Sequence, residues 1–194
     1  TEIISYTGKS TNNLTGCVRA VAGTAVVHAT GSVVTQAANT FGNLHHLEGQ
    51  VVSVLGDGAT HPDRTVSAGA ISLSRHVTKA HVGLGYTSTL RTMRIEAGSA
   101  NGTSQGKIKK LTHATLRLYR SVGVKIGESY SNSDSIPFRS SVNNMGQAVT
   151  LFTGDKQIEF AGGFDTDGFI TIVQDQPLPL TLLGIYIRMQ TYDP

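Results

Sequence analysis

The apolar residues of this chain recur at every second position over most of its length, and this spacing limits the folds open to it. In LTHATLRLYR, Ala114, Leu116 and Leu118 alternate with polar, basic and aromatic side chains. Successive side chains of a β-strand point to opposite faces, so this spacing predicts half-buried strands, whereas a helix needs apolar residues three or four apart. We find no convincing amphipathic helix and therefore predict an all-β protein.

Frequent glycine divides the apolar runs into short pieces. The 194 residues include 22 Gly and no Trp, with 39% apolar and 15% charged residues. Runs such as EIISY, LTGCVRAV and SVVTQ stand between glycines, which favours short strands joined by tight turns. We predict two or three small β-sandwich or barrel-like domains. They are a β-module at 1–40, a β-domain at 41–98 and a C-terminal β-sandwich-like domain at 107–194, with the small polar residues at 99–106 as a linker.

Two strand predictions concern the C-terminal part. The turn at Gly123 is expected to bring a hairpin partner back against the strand that contains LTHATLRLYR. In the last strand, Leu183, Ile185, Ile187 and Met189 share one face, and apolar side chains also occur on the other. Such a strand is expected to be central in its sheet or covered at an interface.

Several classes of protein lack support in the sequence. No window approaches eighteen consecutive apolar residues, and the first ten residues have no signal-peptide pattern, so we predict no membrane span. The chain starts with Thr1 and not with Met, so we expect it to be a piece of a longer protein. The single cysteine, Cys17, excludes an internal disulfide, and its apolar neighbours predict a buried, inert thiol.

Positive charge is concentrated before residue 151. Residues 1–150 carry fourteen Lys and Arg against seven Asp and Glu, and residues 151–194 carry two against six. Such asymmetry suggests faces with different partners, for example DNA or a neighbouring subunit. Six cations with no Asp or Glu between 97 and 127 are candidates for non-specific contact with a nucleic-acid backbone, although lysines also guard exposed strand edges. They are Lys107, Lys109, Lys110, Arg117, Arg120 and Lys125.

The stretch VLGDGATHPDR brings together residue types that catalysis uses: Asp57, His61, Asp63 and Arg64. A hydrolase would also need a nucleophile beside its base, and no GxSxG or similar setting occurs in the chain. Asp57-Gly58 is a strong hairpin-turn signal, and His61-Pro62-Asp63 is typical of a loop. We therefore expect structural roles for these residues.

Metal and cofactor motifs are also weak. His45 and His46 are adjacent and would point to opposite faces of a strand, and His76 and His81 form no zinc motif. Asp165-Thr166-Asp167-Gly168 lacks the further ligands of an EF-hand and is better explained as a tight turn. With no phosphate-binding or dinucleotide-binding motif, we expect neither a cofactor nor an enzyme.

An ordered set of longer segments resembles a known family. LEGQVVSVLGDGATHPDRTVSAGAISL, KAHVGLGYTSTLRTMRIE, KIKKLTHATLRLYRSVGVKIG and LFTGDKQIEFAGGFDTDGFITIVQDQPLPLTLLGIYIRM resemble the C-terminal region of tail nozzle (tail tubular protein B-like) proteins of short-tailed phages. The preceding LTGCVRAVAGTAVVHATGSVV resembles the FCCH-like β-module found upstream in such proteins. The resemblance implies a structural virion protein, made in the host cytoplasm, that forms a homo-oligomeric ring with expected sixfold symmetry around the DNA exit channel, beside other tail proteins.

Two alternatives to a tail structural protein remain open. A receptor- or carbohydrate-binding β-module at the tail tip would use exposed loops such as 129–147 for recognition. A β-fold glycosidase would require the carboxylates of Asp165, Asp167 and Glu159 to converge at a suitable separation.

Overall fold

The computed structural model describes residues 2–11, 13–22, 25–30, 32–96, 102–141, 143, 147–160 and 163–192. Within them the protein is all-β, as predicted, and contains one 3-10 turn at His45–Leu47. The strands are β1 (Ile3–Ser5), β2 (Gly8–Ser10), β3 (Asn13–Thr15), β4 (Val18–Ala22), β5 (Ala38–Phe41), β6 (Val51–Gly56), β7 (Ala59–Thr65), β8 (Ile71–Val77), β9 (Ala80–Gly83), β10 (Ser88–Arg91), β11 (Ile108–Ser121), β12 (Lys125–Gly127), β13 (Ser133–Ser135), β14 (Phe152–Glu159), β15 (Phe164–Asp165), β16 (Thr171–Gln174) and β17 (Leu182–Tyr192).

The N-terminal strands form two antiparallel pairs, β1 with β4 and β2 with β3. Among the described residues, the fully buried apolar side chains begin only at Val52. A polar network holds this region instead: the Glu2 carboxylate accepts hydrogen bonds from Arg19 Nε at 2.9 Å and from the backbone N–H of Val26 at 3.2 Å. The Arg19 guanidinium holds the pKa of Glu2 well below its usual range.

Two N-terminal predictions are wrong. SVVTQ forms no strand, and Val33 and Val34 within it are 90% and 76% exposed. Cys17 is exposed because it lies in the short connection between β3 and β4, outside the strand that was expected to bury it. In both cases alternation predicts a buried face, but the described residues supply no second layer to cover it.

The middle of the chain folds around its own apolar cluster. Sheet β7-β6-β9 and the pair β5-β8 contribute to this core. Asp57 and Gly58 form the predicted two-residue turn between β6 and β7, with φ of 50° and 80°. Positive φ at both positions is the requirement of a type I′ hairpin turn. The buried core residues are Val52, Val54, Val66, Ile71, Leu73 and Val77.

The predicted loop at His61-Pro62-Asp63 is wrong, because all three residues lie within strand β7. Proline cannot donate a backbone hydrogen bond, so inside a sheet it is confined to edge strands and bulges. Strand β7 is at the edge of its sheet, and the β6–β7 register shifts between Val52 and Val54. The edge position explains why Pro62 is tolerated.

The C-terminal part contains two sheets that share one apolar core. One sheet has the order β10-β16-β12-β13. In the other, the long strand β11 pairs with β14 and β15 and also with β17. As the alternation predicts, Ala114, Leu116 and Leu118 of β11 are buried, at 0%, 0% and 1% exposure. Their partners from the opposite sheet include Ile126 and Ile172, which gives a sandwich-like arrangement.

The predicted hairpin after Gly123 is wrong. Strand β12 pairs with β13 and β16, and β11 pairs with none of these. Gly123 has φ of 81°, and a Cβ at this position would lie 2.5 Å from Leu178 Cδ1. The chain therefore turns sharply under Leu178 and passes from one sheet of the sandwich to the other.

Strand β17 differs from its prediction at Leu183. Leu182 pairs with Leu118 and Gly184 with Arg117, so Leu183 is the extra residue of an irregularity in the register. It is 62% exposed, whereas Ile185 and Ile187 pack against the core as predicted. Within the described chain, β17 pairs with β11 alone, so the strand is not central in its sheet.

The predicted domain boundaries remain predictions, but strand pairing crosses one of them. Strand β10 lies inside 41–98 yet pairs with β16 of the C-terminal sandwich. Residues 99–101 of the predicted linker lie outside the described residues. Thr103 and Ser104 hydrogen-bond to the Glu96 carboxylate, at 2.8 and 2.7 Å, so this part of the segment is anchored. No helix in the described part of the chain has the length and apolar character of a membrane span.

Candidate functional site

The six basic residues singled out in the sequence do not share one surface. Lys109 is 1% exposed and faces the core side of β11, beside Leu111. Lys125 lies on the other sheet and forms an ion pair with Asp175. Lys107 precedes β11, and Arg120 occupies an irregularity near its end, with φ of 45°. Lys110 and Arg117 remain on the solvent side of β11.

Exposed aromatic rings accompany these two cations on the solvent side of the β14-β11-β17 sheet. We call this surface the outer sheet face; it comprises Lys110, Arg117, Phe164, Tyr186 and Tyr192. Lys110 Nζ lies 5.4 Å from the ring centroid of Phe164, and Arg117 Cζ lies 5.0 Å from that of Tyr186. The rings of Phe164 and Tyr192 meet edge to face at 5.1 Å, and all three rings are about half exposed. Rings with a polar edge or a nearby cation are typical of contact surfaces.

The charge of Arg117 is balanced within the sheet. Its Nε and Nη2 donate to the two carboxylate oxygens of Asp155, each at 2.8 Å. This paired geometry raises the pKa of Arg117 above its usual range and lowers that of Asp155. Farther along the face, His113 lies 3.8 Å from Glu159. The outer sheet face therefore offers aromatic contact with little net positive charge, which does not favour tight phosphate binding.

Sequence reasoning missed this face because its residues come from distant segments. The aromatic rings belong to β15 and β17, while the cations belong to β11. Only the strand register brings them together: Lys110 lies opposite Phe164, and Thr115 lies opposite Tyr186. Alternation alone would place Lys110 on the buried face with Leu116, and Lys109 on the exposed face with Arg117. The register irregularity between Leu111 and His113 reverses this assignment.

The four residues of the VLGDGATHPDR stretch do not form a common site. Asp57 accepts backbone N–H groups from Thr78 and Lys79, and Asp63 accepts the Ser53 hydroxyl at 3.0 Å. His61 is buried, with its Nε2 2.8 Å from Ser74 Oγ. Asp57, His61 and Asp63 are thus engaged by different parts of the fold, whereas the Arg64 Nε is buried and makes no hydrogen bond. Asp57 lies in the turn that the sequence predicts, whereas His61 and Asp63 lie within a strand.

The carboxylates on which the glycosidase alternative depends lie in two different places. Glu159 lies on the outer sheet face opposite His113, whereas Asp165 and Asp167 line a cavity together with Glu128. The three carboxylates named for a glycosidase therefore do not share one pocket. Among the described residues, no three His, Cys, Asp or Glu side chains are grouped closely enough to hold a metal ion.

The cavity that Asp165 and Asp167 line has a volume of about 240 Å³ and is also lined by Lys109. We call it the Lys109 cavity; Arg91, Glu128 and Phe169 complete its charged and aromatic walls. Lys109 Nζ is buried and makes no hydrogen bond. A second cavity of about 330 Å³, beside the β6–β7 turn, is lined mainly by apolar groups such as Val122, Phe138 and Leu178.

Comparison with known proteins adds no family to these observations. No protein-family model matches the chain, and no curated protein is significantly similar to it. The fold and its surfaces therefore carry the functional argument.

Proposed function

We propose that this chain is a structural subunit of a phage tail and works by assembling with copies of itself. The observation that carries the proposal is the open edge of β17. Within the part of the chain that the structure describes, this 11-residue strand has β11 as its sole partner. A row of unpaired N–H and C=O groups along a strand edge is a template for pairing with another chain.

The composition of β17 suits an interface. Its sequence, LLGIYIRMQTY, contains one charged residue, Arg188, and no proline. Proteins usually protect an edge that must remain free by means of lysine, proline or short length. At roughly 3.3 Å per residue the strand spans about 36 Å, and Leu183, Tyr186 and Tyr192 are 62%, 51% and 52% exposed.

The same sheet has a second open edge at β14. This strand pairs with β11 alone among the described strands and carries Asp155, Lys156 and Glu159. Because β14 and β17 are both antiparallel to β11, they run parallel to each other. Strand β17 of one copy can therefore add to β14 of the next and continue the sheet between subunits. Head-to-tail contacts of this kind produce a closed ring when the rotation between copies closes.

The resemblance to tail nozzle proteins supports a place for this ring in the virion. A ring of six copies around the DNA exit channel, in contact with other tail proteins, is the arrangement that the resemblance implies. DNA that moves through a channel requires a wall that does not hold it tightly. The internal pairing of Arg117 with Asp155 agrees with this requirement at one position, because it neutralises a cation that would otherwise attract phosphate.

Native mass spectrometry of the wild-type chain and of Leu183→Lys tests the proposal. We expect a closed oligomer for the wild type, and dissociation towards monomers for Leu183→Lys, because a lysine on the edge strand opposes intermolecular pairing. Leu84→Lys is the matched control, since Leu84 is 59% exposed and lies outside the strands. Far-UV circular dichroism verifies that both variants fold.

Two results would contradict the assembly role. One is a wild-type chain that remains monomeric at high protein concentration. The other is an oligomer that Leu183→Lys weakens no more than Leu84→Lys does.

A further inference from the structure

We infer that the Lys109 cavity binds a neutral saccharide unit. This inference concerns a ligand and does not depend on assembly, because the cavity lies within one copy of the chain. Its walls come from β10, β11, the segment after β12 and the turn after β15. The sandwich therefore brings together side chains that are up to 78 residues apart, from Arg91 to Phe169.

The central observation is the unsatisfied ammonium group of Lys109. The side chain is 1% exposed, and its Nζ makes no hydrogen bond although three carboxylates line the same cavity. Gly168 lies over the stem of the side chain, where a Cβ would be 3.2 Å from Lys109 Cδ. A buried charged donor without an acceptor is costly and rare in folded proteins. A ligand oxygen in the cavity would supply the acceptor.

The charges of the walls select the class of ligand. Lys109 and Arg91 are opposed by Glu128, Asp165 and Asp167, and Asp167 also pairs with Arg94 outside the cavity wall, at 2.9 Å. The nearby charges therefore almost cancel. A phosphate or carboxylate ligand would be placed against three carboxylates, and a cation would be placed against two cationic groups. Because the same walls also hold charges of the opposite sign, neither kind of ion gains a net attraction, and the cavity favours a neutral ligand.

A neutral ligand must both accept and donate hydrogen bonds at several points. A hydroxyl group accepts from an ammonium and donates to a carboxylate, which is the combination that Lys109 and its acidic neighbours require. Leu111 and Phe169 supply apolar wall, although Arg91 covers one side of the Phe169 ring at 3.9 Å. The volume of about 240 Å³ equals roughly eight water molecules at ~30 Å³ each. One hexose unit fits these properties.

Saturation-transfer NMR and isothermal titration calorimetry with glucose, galactose, mannose and N-acetylglucosamine test this inference. We expect saturable binding of at least one of these sugars by the wild-type chain. Lys109→Met keeps an unbranched side chain one atom shorter and removes the donor, so it should weaken binding by roughly 10- to 100-fold, the equivalent of one hydrogen bond to a charged group. Lys110→Met is the matched control, because Lys110 is adjacent on β11 and belongs to the outer sheet face. This variant should bind the sugar as tightly as the wild type does.

If Lys109→Met does not fold, measurements on the wild-type chain still test the inference. The side-chain NMR signals of Lys109 should shift during titration with the bound sugar, while those of Lys110 should not. Inorganic phosphate and glucuronate serve as anionic probes and should bind more weakly than the neutral sugar. The inference is overturned if no neutral sugar binds, if an anion binds better, or if the Lys109 signals remain unchanged because the cavity holds only water.

Discussion

Replacement of Asp57 by Asn should destabilise the middle region through loss of a charged acceptor, without disturbing the turn. Asp57 accepts hydrogen bonds from the Lys79 N–H at 2.9 Å, the Thr78 N–H at 3.0 Å and the Thr78 hydroxyl at 2.7 Å. Its φ of 50° lies in the left-handed region, which Asn tolerates better than most residues. Asp57→Asn therefore changes mainly the hydrogen bonds.

The magnitude follows from these contacts. A hydrogen bond to a charged group contributes about 1.5–3 kcal/mol when it is shielded, but the Asp57 carboxylate is exposed to competing water. Side-chain acceptors that cap backbone N–H groups in such settings contribute about 1 kcal/mol. We expect Asp57→Asn to lower the free energy of unfolding by about 1 kcal/mol, because the amide retains one acceptor oxygen, and Asp57→Ala to lower it by about 2–3 kcal/mol.

The effect should depend on pH in one direction. Burial alone would raise the pKa of Asp57, but the hydrogen bonds from Thr78 and Lys79 lower it below its ordinary value of 3.8. A carboxyl with a lowered folded-state pKa contributes its full stability above the ordinary value, and this contribution is lost as the pH falls through the folded-state pKa. The difference between wild type and Asp57→Asn should therefore be present at neutral pH and shrink below about pH 4.

Urea unfolding monitored by far-UV circular dichroism measures these differences, since the chain has no tryptophan. Hydrogen exchange at the Thr78 and Lys79 amides gives a local measurement, and both amides should exchange faster in Asp57→Asn. Asp63→Asn is the control on the same hairpin, because Asp63 accepts one side-chain hydrogen bond, from Ser53. Equal effects of the two substitutions, or a difference that does not shrink at all between pH 7 and pH 3, would refute the reasoning.

Two further predictions concern packing. Leu116→Ala, at a site with no exposure in the sandwich core, should cost about 2–5 kcal/mol of unfolding free energy; urea titration measures this, and a cost below that of an exposed leucine would contradict the assigned core. Gly127→Ala would place a Cβ 1.8 Å from the Asn132 carbonyl oxygen, whereas Gly83→Ala meets nothing within 4 Å. Thermal unfolding should show a large loss for the first and little change for the second, and equal behaviour would argue against the close β12–β13 approach.

The sequence predicts the strands better than it predicts their partners. Alternation identifies β11 and its buried residues, because a period of two is a local property of one strand. The turn at Asp57-Gly58 is predicted equally well, because positive φ is a local requirement of those two residues. The pairing of β11 with β14 and β17 joins residues far apart in the sequence, from Ser121 with Phe152 to Ile108 with Tyr192, which no local pattern encodes.

The errors have the same physical origin. Pro62 was assigned to a loop because its missing donor excludes it from a central strand, and only the order of the sheet shows that β7 is an edge. SVVTQ has the composition of a strand but no partner among the described residues. The candidate surfaces were hidden for a related reason, since the outer sheet face and the Lys109 cavity are assembled from residues of several strands. The register of these strands, with its irregularities, decides which side chains meet.

The pairing of β10 with β16 determines where this chain could be divided. A cut in the glycine-rich segment after Glu96 would appear natural from composition, yet it would remove an outer strand from the sandwich and leave the buried backbone of Thr171–Gln174 open along one side. A fragment intended to carry the C-terminal sandwich should therefore begin before Ser88, and one that begins at residue 107 should be prone to aggregate through the newly exposed strand.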